Sequence, residues 1–590
     1  MIRLVKLGFF GIICAIAVLG PHTFPSMQAQ QAPPGQPLER PVLAKGGVRA
    51  EPERVQPPIP PQNEGVPMSF LVLDAAKGDP IPNVSIELRS PTRSVAGKPT
   101  YWSYRVQTDG SGKAAVADVA ASPYQMEVKK QGRVLVSGSI LAVSLQPKEK
   151  PAPMIYRMFL ASRFTGTVEN RQRQTIPNVR VELLREAWQA GMRVLELAQN
   201  PATTDAEGRY DFDGVLPGTY YLRARPNPAL IQGQLQESDG SKDPEQRHTA
   251  YVNTLYPATP FLENASALRV FDGADQLGIR IEVQRDRYYP IRGHLENVLP
   301  EQTQVGLLLF RSVSFDSRFQ FIWNQAYDGA IPVDVKPDHT FAYDLGLPPG
   351  PYWAGFVPAD KVRGGADFRV TDRPLDDMKI EVTPAVQFFG KVVDEDGQEV
   401  SGMTAHVATF ASRRALYQRD FLVAKGGAFT TSGLTPAAYR LDLQGAPVVI
   451  RKIDRDGRTY PGGNFELTPM QGEAIITVSR KGALIAGTVE MLPIAKDYPR
   501  GVVTALPDPS RPTDMAKRTR LDGTNTFKFE HLEPGGYRVC AWLEEGTEVN
   551  QVMGNPAFEQ KLPTHCEHVD VKADETKSAS LKQFSALEIR

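Results

Sequence analysis

The sequence lacks an excess of charge of either sign. Lys and Arg together number 67, Asp and Glu together number 67, and the formal net charge of the 590-residue chain is zero. Nucleic-acid binders and polybasic membrane-surface proteins need a sustained positive field, so both classes are excluded. After residue 19, no stretch approaches the ~18 apolar residues of a spanning helix. We therefore expect no nucleic-acid partner and no transmembrane segment in the mature chain.

The motifs that carry catalysis are missing as well. The chain has only eight histidines, and it contains neither His-Glu-x-x-His nor Gly-x-Ser-x-Gly. Gly110-Ser111-Gly112-Lys113 lacks the glycine spacing and the following hydroxyl of a phosphate loop, so we interpret it as a hairpin turn. Calcium loops starting at Asp394 and Asp454 are an alternative to simple turns, but neither continues with the required oxygen ligands. The sequence predicts no enzyme, no cofactor and no metal site.

Glycine and proline are abundant instead. The chain has 49 glycines and 50 prolines, about one residue in six against an average of ~12%. This excess is too small and irregular for collagen, and too large for long helices, since both residues break helix interiors. A hydrophobic content of 41% is enough for packed cores. At ~150 residues per domain, the length suggests about four domains.

Residues 1–29 have the pattern of a signal peptide. A short positive segment precedes an apolar run from Leu7 to Leu19, which is too short to span a bilayer comfortably, and cleavage is predicted after Ala29. An uncleaved anchor is the alternative. A lipoprotein site at Cys14 is disfavoured because Ile13 stands where a small residue is needed. We expect a secreted, periplasmic or cell-surface protein.

Residues 30–66 form a Pro-rich segment with few apolar residues. This composition predicts a disordered linker that acts as an extended, semi-rigid spacer with polyproline character. A plain disordered tail is the other interpretation.

Cys540 and Cys566 are the two cysteines that remain after the signal segment. In an oxidising compartment, two remaining cysteines favour a disulfide. Strand alternation places both on the outward face, where they can meet. The alternative is a metal cluster around His565, Cys566 and His568, but residues three apart on a strand face opposite sides.

Two elements recur along the rest of the chain. The first is a Gly-x-Val strand, with glycines at 166, 293, 390 and 487 that are separated by 127, 97 and 97 residues. The second is a turn and strand followed by a Pro/Gly corner and a tyrosine. Its clearest corners are Pro217, Gly218 and Tyr220; Pro349, Gly350 and Tyr352; and Pro534, Gly535 and Tyr537. Weaker copies end at Tyr439 and Tyr124.

Repeats of this length match whole domains, so the chain is predicted to be a tandem array. Short alternating runs such as Val179–Leu183, bounded by Gly/Pro turns, predict an all-β fold of antiparallel β-sandwiches. The predicted β-sandwich domains are 67–150, which is degenerate, 151–285, 286–384, 385–478 and 479–590, which carries the disulfide. Residues 184–197 have spacings of both a helix and a strand hairpin, and we favour the hairpin.

These motifs resemble the carboxypeptidase regulatory-like domain. The resemblance rests on Gly166-Thr167-Val168, on Ile176 to Val181, on Thr204 to Phe212 and on Leu216 to Tyr220. Leu255-Tyr256-Pro257 is similar to an insertion seen in large secreted bacterial members.

The resemblance implies a transthyretin-like, seven-stranded β-sandwich that is also classed with the carbohydrate-binding-like fold. In the carboxypeptidases the domain is an accessory to a separate zinc domain. The His-x-x-Glu pair of that zinc domain is absent here.

Binding by exposed aromatic side chains is the remaining chemistry. The candidate ligand-binding residues are Tyr101, Trp102, Tyr104, Phe319, Trp323, Tyr327 and Trp353. The alternative for all of them is core or inter-domain packing. We predict a non-enzymatic, secreted, multi-domain binding or scaffolding protein of the cell envelope, with other envelope proteins or polysaccharide as partners. A carbohydrate-binding protein is the main alternative, and a hydrolase or hydrolase accessory is a lesser one.

Overall fold

The computed structural model describes most of the chain after the Pro-rich segment. The described residues are 65–589 except 92, 96–97, 137–139, 148–150, 152, 190–191, 299–304, 313–326, 358–361, 413–414, 469–471, 494–500, 509–515, 522–524, 544–548 and 550–559. The predicted signal peptide and nearly all of the predicted linker lie outside them.

The described chain forms two compact units. The first comprises the residues up to Val72, Pro80–Lys130 and Gly138–Met154, and the second comprises Leu73–Asp79, Gln131–Ser137 and the chain from Ile155 onward. Nearly all regular structure in both is β-strand. The prediction of an all-β protein of tandem antiparallel sandwiches is confirmed.

The first compact unit holds sandwich 1. Its strands are β1 (Val66–Asp74), β2 (Ser85–Arg89), β3 (Arg93–Val95), β4 (Lys98–Thr100), β5 (Ser103–Gln107), β6 (Lys113–Val119), β7 (Pro123–Lys129) and β9 (Ile140–Ser144). β8 (Arg133–Leu135) belongs to the second compact unit, where it pairs with Met158–Leu160. β1 pairs antiparallel with β6, and the second sheet has the order β5-β2-β7-β9. Alternate residues of β7 are buried, so this sheet has one inward face.

The second compact unit begins with sandwich 2. Its two sheets are built from β11 (Ser162–Glu169), β12 (Arg180–Gln189), β13 (Met192–Leu197), β14 (Ala202–Thr203), β15 (Arg209–Val215), β16 (Gly218–Arg225), β18 (Thr254–Leu255), β19 (Leu268–Val270) and β20 (Gln276–Glu282), so β11 is its first strand and β20 its last. β10 (Met154–Leu160) precedes them and pairs with β8, and β17 (Thr249–Tyr251) and β21 (Arg285–Arg287) form a separate two-stranded sheet. One sheet has the order β15-β11-β20, and the other has β13-β12-β16-β18. A single apolar core draws residues from both sheets, which is the arrangement of a sandwich.

Sandwich 3 has two sheets that are joined through one strand. Its strands are β22 (Tyr289–Glu296), β23 (Gly306–Ser312), β24 (Tyr327–Val333), β25 (Thr340–Leu347), β26 (Gly350–Val357), β27 (Val362–Val370) and β28 (Leu375–Pro384). β27 pairs with β26 over one part of its length and with β28 over the other. The core again combines residues from both sides.

Sandwich 4 has two separate sheets around its own core. Its strands are β29 (Val386–Asp394), β30 (Thr404–Ser412), β31 (Ala415–Leu422), β32 (Ala428–Leu434), β33 (Ala437–Gln444), β34 (Val449–Arg455), β35 (Arg458–Pro461), β36 (Asn464–Leu467) and β37 (Ala474–Ser479). The sheet orders are β32-β29-β37-β34-β35 and β31-β30-β33-β36.

Sandwich 5 has two apolar clusters rather than one. Its strands are β38 (Ala483–Glu490), β39 (Val502–Pro507), β40 (Lys517–Arg520), β41 (Thr526–Leu532), β42 (Gly535–Trp542), β43 (Glu567–Val571) and β44 (Thr576–Phe584). The main cluster lies between the sheets. The second covers the outer face of β42 and includes Cys540 and Trp542.

The ambiguous segment in sandwich 2 is a strand hairpin. β12 and β13 pair antiparallel from Leu184↔Leu197 to Gln189↔Met192. The prediction that favoured strands over a helix is therefore confirmed. Sequence reasoning missed the helix Pro228–Asp239. It lies in residues 226–267, between β16 and β19, which are called the insertion of sandwich 2. The start of the helix was signalled by Asn227, whose side chain accepts from the Leu230 amide, and by proline at the first helical position.

The Gly-x-Val glycines lie where the first strand of each sandwich meets its last strand. β11 runs parallel to β20, β22 to β28, β29 to β37 and β38 to β44. A Cβ atom on the glycine would overlap a carbonyl oxygen of the last strand in every case. The overlapping pairs are Gly166 with Ile279, Gly293 with Met378, Gly390 with Ala474 and Gly487 with Ala579. The glycine repeat is therefore explained by close backbone approach between the two terminal strands.

We expect Gly166→Ala to destabilise sandwich 2 by at least about 2 kcal/mol, because the backbone carbonyl of Ile279 cannot move aside without breaking the strand pair. The control is Gly233→Ala in the helix Pro228–Asp239, where a Cβ meets no atom within 4 Å. Scanning calorimetry should show one transition at lower temperature for the first variant only. Equal behaviour of the two variants would contradict the close-approach explanation.

Candidate functional site

The first aromatic cluster, Tyr101, Trp102 and Tyr104, is half-buried in sandwich 1. The Tyr104 hydroxyl accepts a hydrogen bond from the Ala120 amide at 3.0 Å, and its ring lies edge-on to Tyr124 with centroids 6.0 Å apart. Tyr101 and Trp102 are half-buried, and the Arg89 guanidinium lies over the Tyr101 ring at 5.8 Å. Tyr104 is thus held by contacts within sandwich 1, and the assignment of these three residues to ligand binding stays a prediction.

Most of the second aromatic cluster lies outside the residues that the structure describes. Phe319 and Trp323 belong to the undescribed segment 313–326, and Tyr327 begins β24. These three residues stay predictions.

Trp353 is half-buried and packs on Phe310, with ring centroids 5.4 Å apart. Both rings contact an apolar cluster contributed by β12, β13 and the insertion of sandwich 2, including Leu184 and Leu195. Trp353 lies on the outward face of β26, as its alternation with Tyr352 and Ala354 predicts, but sandwich 2 covers that face of sandwich 3. Trp353 therefore contributes to inter-domain packing, and its assignment as a ligand-binding residue stays a prediction.

The corner tyrosines share one hydrogen bond. Each hydroxyl donates to the backbone carbonyl four residues earlier, over distances of 2.7 to 3.1 Å. The pairs are Tyr124 with Ala120, Tyr220 with Leu216, Tyr352 with Pro348, Tyr439 with Thr435 and Tyr537 with Glu533. All five side chains are buried. Each tyrosine therefore fills the core with its ring and closes the corner with its hydroxyl.

The strand after the corner begins at the corner glycine in three sandwiches, at Gly218, Gly350 and Gly535. In sandwich 4, the equivalent strand begins at Ala437, and Tyr439 keeps its hydrogen bond to Thr435 at 3.1 Å. The glycine is therefore not needed for the hydroxyl contact.

Two of the corners also bind the neighbouring part of the chain. In sandwich 3, the buried Arg311 donates to the Pro349 carbonyl at 2.7 Å, and its guanidinium lies over the ring of Phe261, in the insertion, at 5.3 Å. In sandwich 5, the Glu533 carboxylate accepts two hydrogen bonds of 2.9 Å from Arg440 of sandwich 4. The corner loops are thus contact points between successive sandwiches, a role that the sequence did not indicate.

The junction of sandwiches 4 and 5 encloses a small cavity of about 40 Å³. Arg440, Asp442, Lys517, His531 and Glu533 contribute its polar wall. The apolar wall comes from residues including Val448, Val449, Ile450 and Pro507. A cavity of this size holds a few water molecules and is far smaller than a typical organic ligand pocket.

The disulfide prediction is confirmed. Cys540 and Cys566 are bonded, with Cα atoms 4.5 Å apart. Cys540 lies on the face of β42 opposite the main core, as its alternation predicts, but it is only 3% exposed. The second apolar cluster, with Trp542 and Phe584, covers that face of β42.

The alternative metal site at the same place is not formed. His565 stacks near Phe584, with ring centroids 4.8 Å apart, whereas His568 contacts Asp508 at 2.9 Å and Asp570 at 3.3 Å. The hydrogen bond from His568 to Asp508 raises the pKa of the imidazole. Across the part of the chain that the structure describes, no three metal-ligating side chains converge.

The two candidate calcium loops are turns held by their own side chains. Asp394 Oδ1 accepts from the amides of Asp396 and Gln398 at 3.0 and 2.8 Å. Asp454 bonds to Thr459 and Lys452 instead. The carboxylates are thus occupied by local contacts. Gly110 to Lys113 is a turn of the same kind, in which Asp109 accepts from the amides of Ser111 and Lys113.

A buried charge cluster supports the outer face of sandwich 2. Glu182 and Arg223 are 0% and 1% exposed and form an ion pair of 2.6 Å, and Arg180 and Arg225 bind the other carboxylate oxygen at 2.9 and 3.0 Å. Burial alone would raise the pKa of Glu182, but the charges of Arg223 and Arg225 outweigh it and lower the pKa.

The comparisons with known proteins give fold neighbours only. No protein-family model matches the chain, and no curated protein does. The minor pilin GBS52 of Streptococcus agalactiae is 12% identical, over 37% of this chain and 94% of that chain, with a TM-score of 0.16. The major pilin subunit BcpA of Bacillus cereus is 9% identical, over 54% of this chain and 99% of that chain, with a TM-score of 0.14.

The shaft pilin SpaA of Lactobacillus rhamnosus GG is 9% identical, over 37% of this chain and 98% of that chain, with a TM-score of 0.14. TM-scores this low carry no functional inference. Among the described residues, no helix is long and apolar enough to cross a membrane.

We expect Tyr352→Phe to cost about 1–3 kcal/mol, because the buried Pro348 carbonyl loses its donor. The matched control is Tyr343→Phe in the same sandwich. The described residues supply no hydrogen-bond partner for the Tyr343 hydroxyl, so this variant should cost much less. Denaturant unfolding of both variants measures the difference. Equal costs would show that the corner hydroxyl does not stabilise the sandwich.

The lowered pKa of Glu182 predicts acid sensitivity. The ionised Glu182 carboxylate stabilises the fold at pH values above the pKa of an unfolded glutamate. This stabilisation is lost as the pH falls through the lower pKa that Glu182 has in the folded protein. Glu182→Gln should remove this dependence below about pH 4.5. It should also destabilise the protein at neutral pH by about 3–5 kcal/mol, because Arg223 stays buried. The control is Glu530→Gln, at an exposed position where the carboxylate pairs with Lys528. Stability curves of both variants against pH check this, and parallel curves would contradict it.

Proposed function

We propose that this chain is a non-enzymatic, secreted scaffolding protein of the cell envelope, built from carboxypeptidase regulatory-like sandwiches. One observation carries the proposal: sandwiches 2 to 5 follow one another with short connections and are joined by specific contacts. Only residue 385 separates the last strand of sandwich 3 from the first strand of sandwich 4. Residues 480–482 separate sandwiches 4 and 5.

The junctions use side chains that are expensive to bury. Arg440 bridges sandwiches 4 and 5 through Glu533, and Arg451 contacts Asp574 at 3.0 Å. Such charge-assisted contacts fix orientation as well as adding energy. A series of joined sandwiches holds bound partners at set positions, and we propose other envelope proteins as those partners. The five-domain division, with boundaries at 67, 151, 286, 385 and 479, is part of the proposal.

The disulfide supplies a test of the compartment. The chain is expressed with residues 1–29 in a bacterial host, and the thiols are trapped with acid before labelling. Cys540 and Cys566 should then resist alkylation. Protease added to the outside of intact cells should cut the protein. A variant without residues 1–29 should stay in the reducing cytoplasm and label at both cysteines. The double variant Cys540→Ser, Cys566→Ser is the labelling control. Free thiols and protease resistance in the complete chain would contradict export.

Polysaccharide binding is the second outcome to be tested. We expect no retention of the purified chain on insoluble polysaccharides. Retention that is lost in Trp102→Ala or Trp323→Ala would replace the scaffold proposal with the carbohydrate-binding alternative. Tyr104→Phe is the matched control, because it keeps the ring that lies edge-on to the buried Tyr124.

A further inference from the structure

The terminal strands of sandwiches 2 to 5 pair in one recurring way. The first and last strands of each are neighbours and run parallel, although the other pairings within these sandwiches are almost all antiparallel. In sandwich 4, the registered pairs extend from Gly390↔Ala474 to Asp394↔Val478. In sandwich 5, they extend from Leu484↔Thr576 to Glu490↔Lys582.

This pairing sets the direction in which a pull on the chain acts. Tension enters a sandwich at the start of its first strand and leaves at the end of its last strand. In a parallel pair, these two points lie at opposite ends of the ladder, so the strands must slide and all the hydrogen bonds between them are loaded together. In an antiparallel pair, the two points would lie at the same end, and the bonds would break one after another.

The load path continues from one sandwich to the next. The last strand of sandwich 3 leads through residue 385 into the first strand of sandwich 4, and residues 480–482 make the same connection to sandwich 5. Between sandwiches 2 and 3, the connection is fixed by the Tyr288 hydroxyl, which donates to the Tyr251 carbonyl at 2.9 Å. No long slack segment therefore separates the four strand pairs.

We propose that sandwiches 2 to 5 bear tension, and that the parallel pair of terminal strands is the mechanical clamp of each. The close contact at the Gly-x-Val glycine is part of the clamp, because it lets the two backbones approach without a side chain between them. This proposal adds a mechanical role to the scaffold function. It rests on the scaffold function in one respect only, namely that the cell envelope is where the tension acts.

Single-molecule pulling on the mature chain tests the proposal. The ends are tethered, and four main rupture events are expected, each releasing roughly 25–40 nm at ~0.34 nm per residue. The disulfide shortens the release from sandwich 5 by about 9 nm, and reduction restores that length. Gly166→Ala should lower the force of one event, whereas Gly233→Ala should lower none.

The decisive comparison changes the direction of pulling and leaves the clamp intact. Gln387→Cys, at the start of β29, and Glu473→Cys, just before β37, place two handles at the same end of the parallel pair. Pulling between these handles should peel the strands apart at a force at least roughly threefold lower than end-to-end pulling of the same variant, because bonds then break in turn.

Equal forces in the two directions would overturn the proposal. That result would leave the scaffold function intact, because the thiol and protease test of export does not depend on mechanical strength. Conversely, a strong clamp in a chain that is never exported would contradict the envelope function alone.

Discussion

The pairing of the first and last strands is the constraint on which each sandwich from 2 to 5 depends. It brings the two ends of a domain of about 100 residues together in one sheet. The first and last strands are hydrogen-bonded neighbours, and all the other strands lie between them in the chain. The glycine on the first strand makes this possible, since any side chain at Gly166 or Gly390 would overlap a carbonyl oxygen of the last strand. The pairing also means that a domain ends where the next can begin.

A second constraint acts at the corners. The tyrosine hydroxyl closes the turn before its strand, and in sandwiches 3 and 5 the same turn also takes part in the contact with the preceding sandwich. Arg311 donates to the Pro349 carbonyl in the corner of its own sandwich, and its guanidinium lies over the ring of Phe261. Arg440 binds Glu533 across the junction of sandwiches 4 and 5. Folding of a corner and docking of a neighbour therefore share the same residues. This coupling explains how short connections produce fixed junctions.

Much of this fold could be predicted from the sequence because its signals are local. Two-residue alternation identified the strands, the cysteine count identified the disulfide, and the tyrosine repeats identified the corners. The surroundings of individual side chains could not be predicted. Trp353 and Cys540 alternate as outward residues, but sandwich 2 covers the first and a second apolar cluster covers the other. The junction contacts of Arg440 and Arg311 join residues distant in sequence, so no spacing reveals them.

Native-state hydrogen exchange tests the central claim, that the terminal strand pair closes each sandwich, most directly. The account predicts that the paired amides of β11 with β20 and of β29 with β37 exchange only when the whole sandwich unfolds, and are among the slowest in their domain. The edge strands β13 and β31 should exchange faster. Terminal strand pairs that exchange by local opening, ahead of these edge strands, would contradict the account.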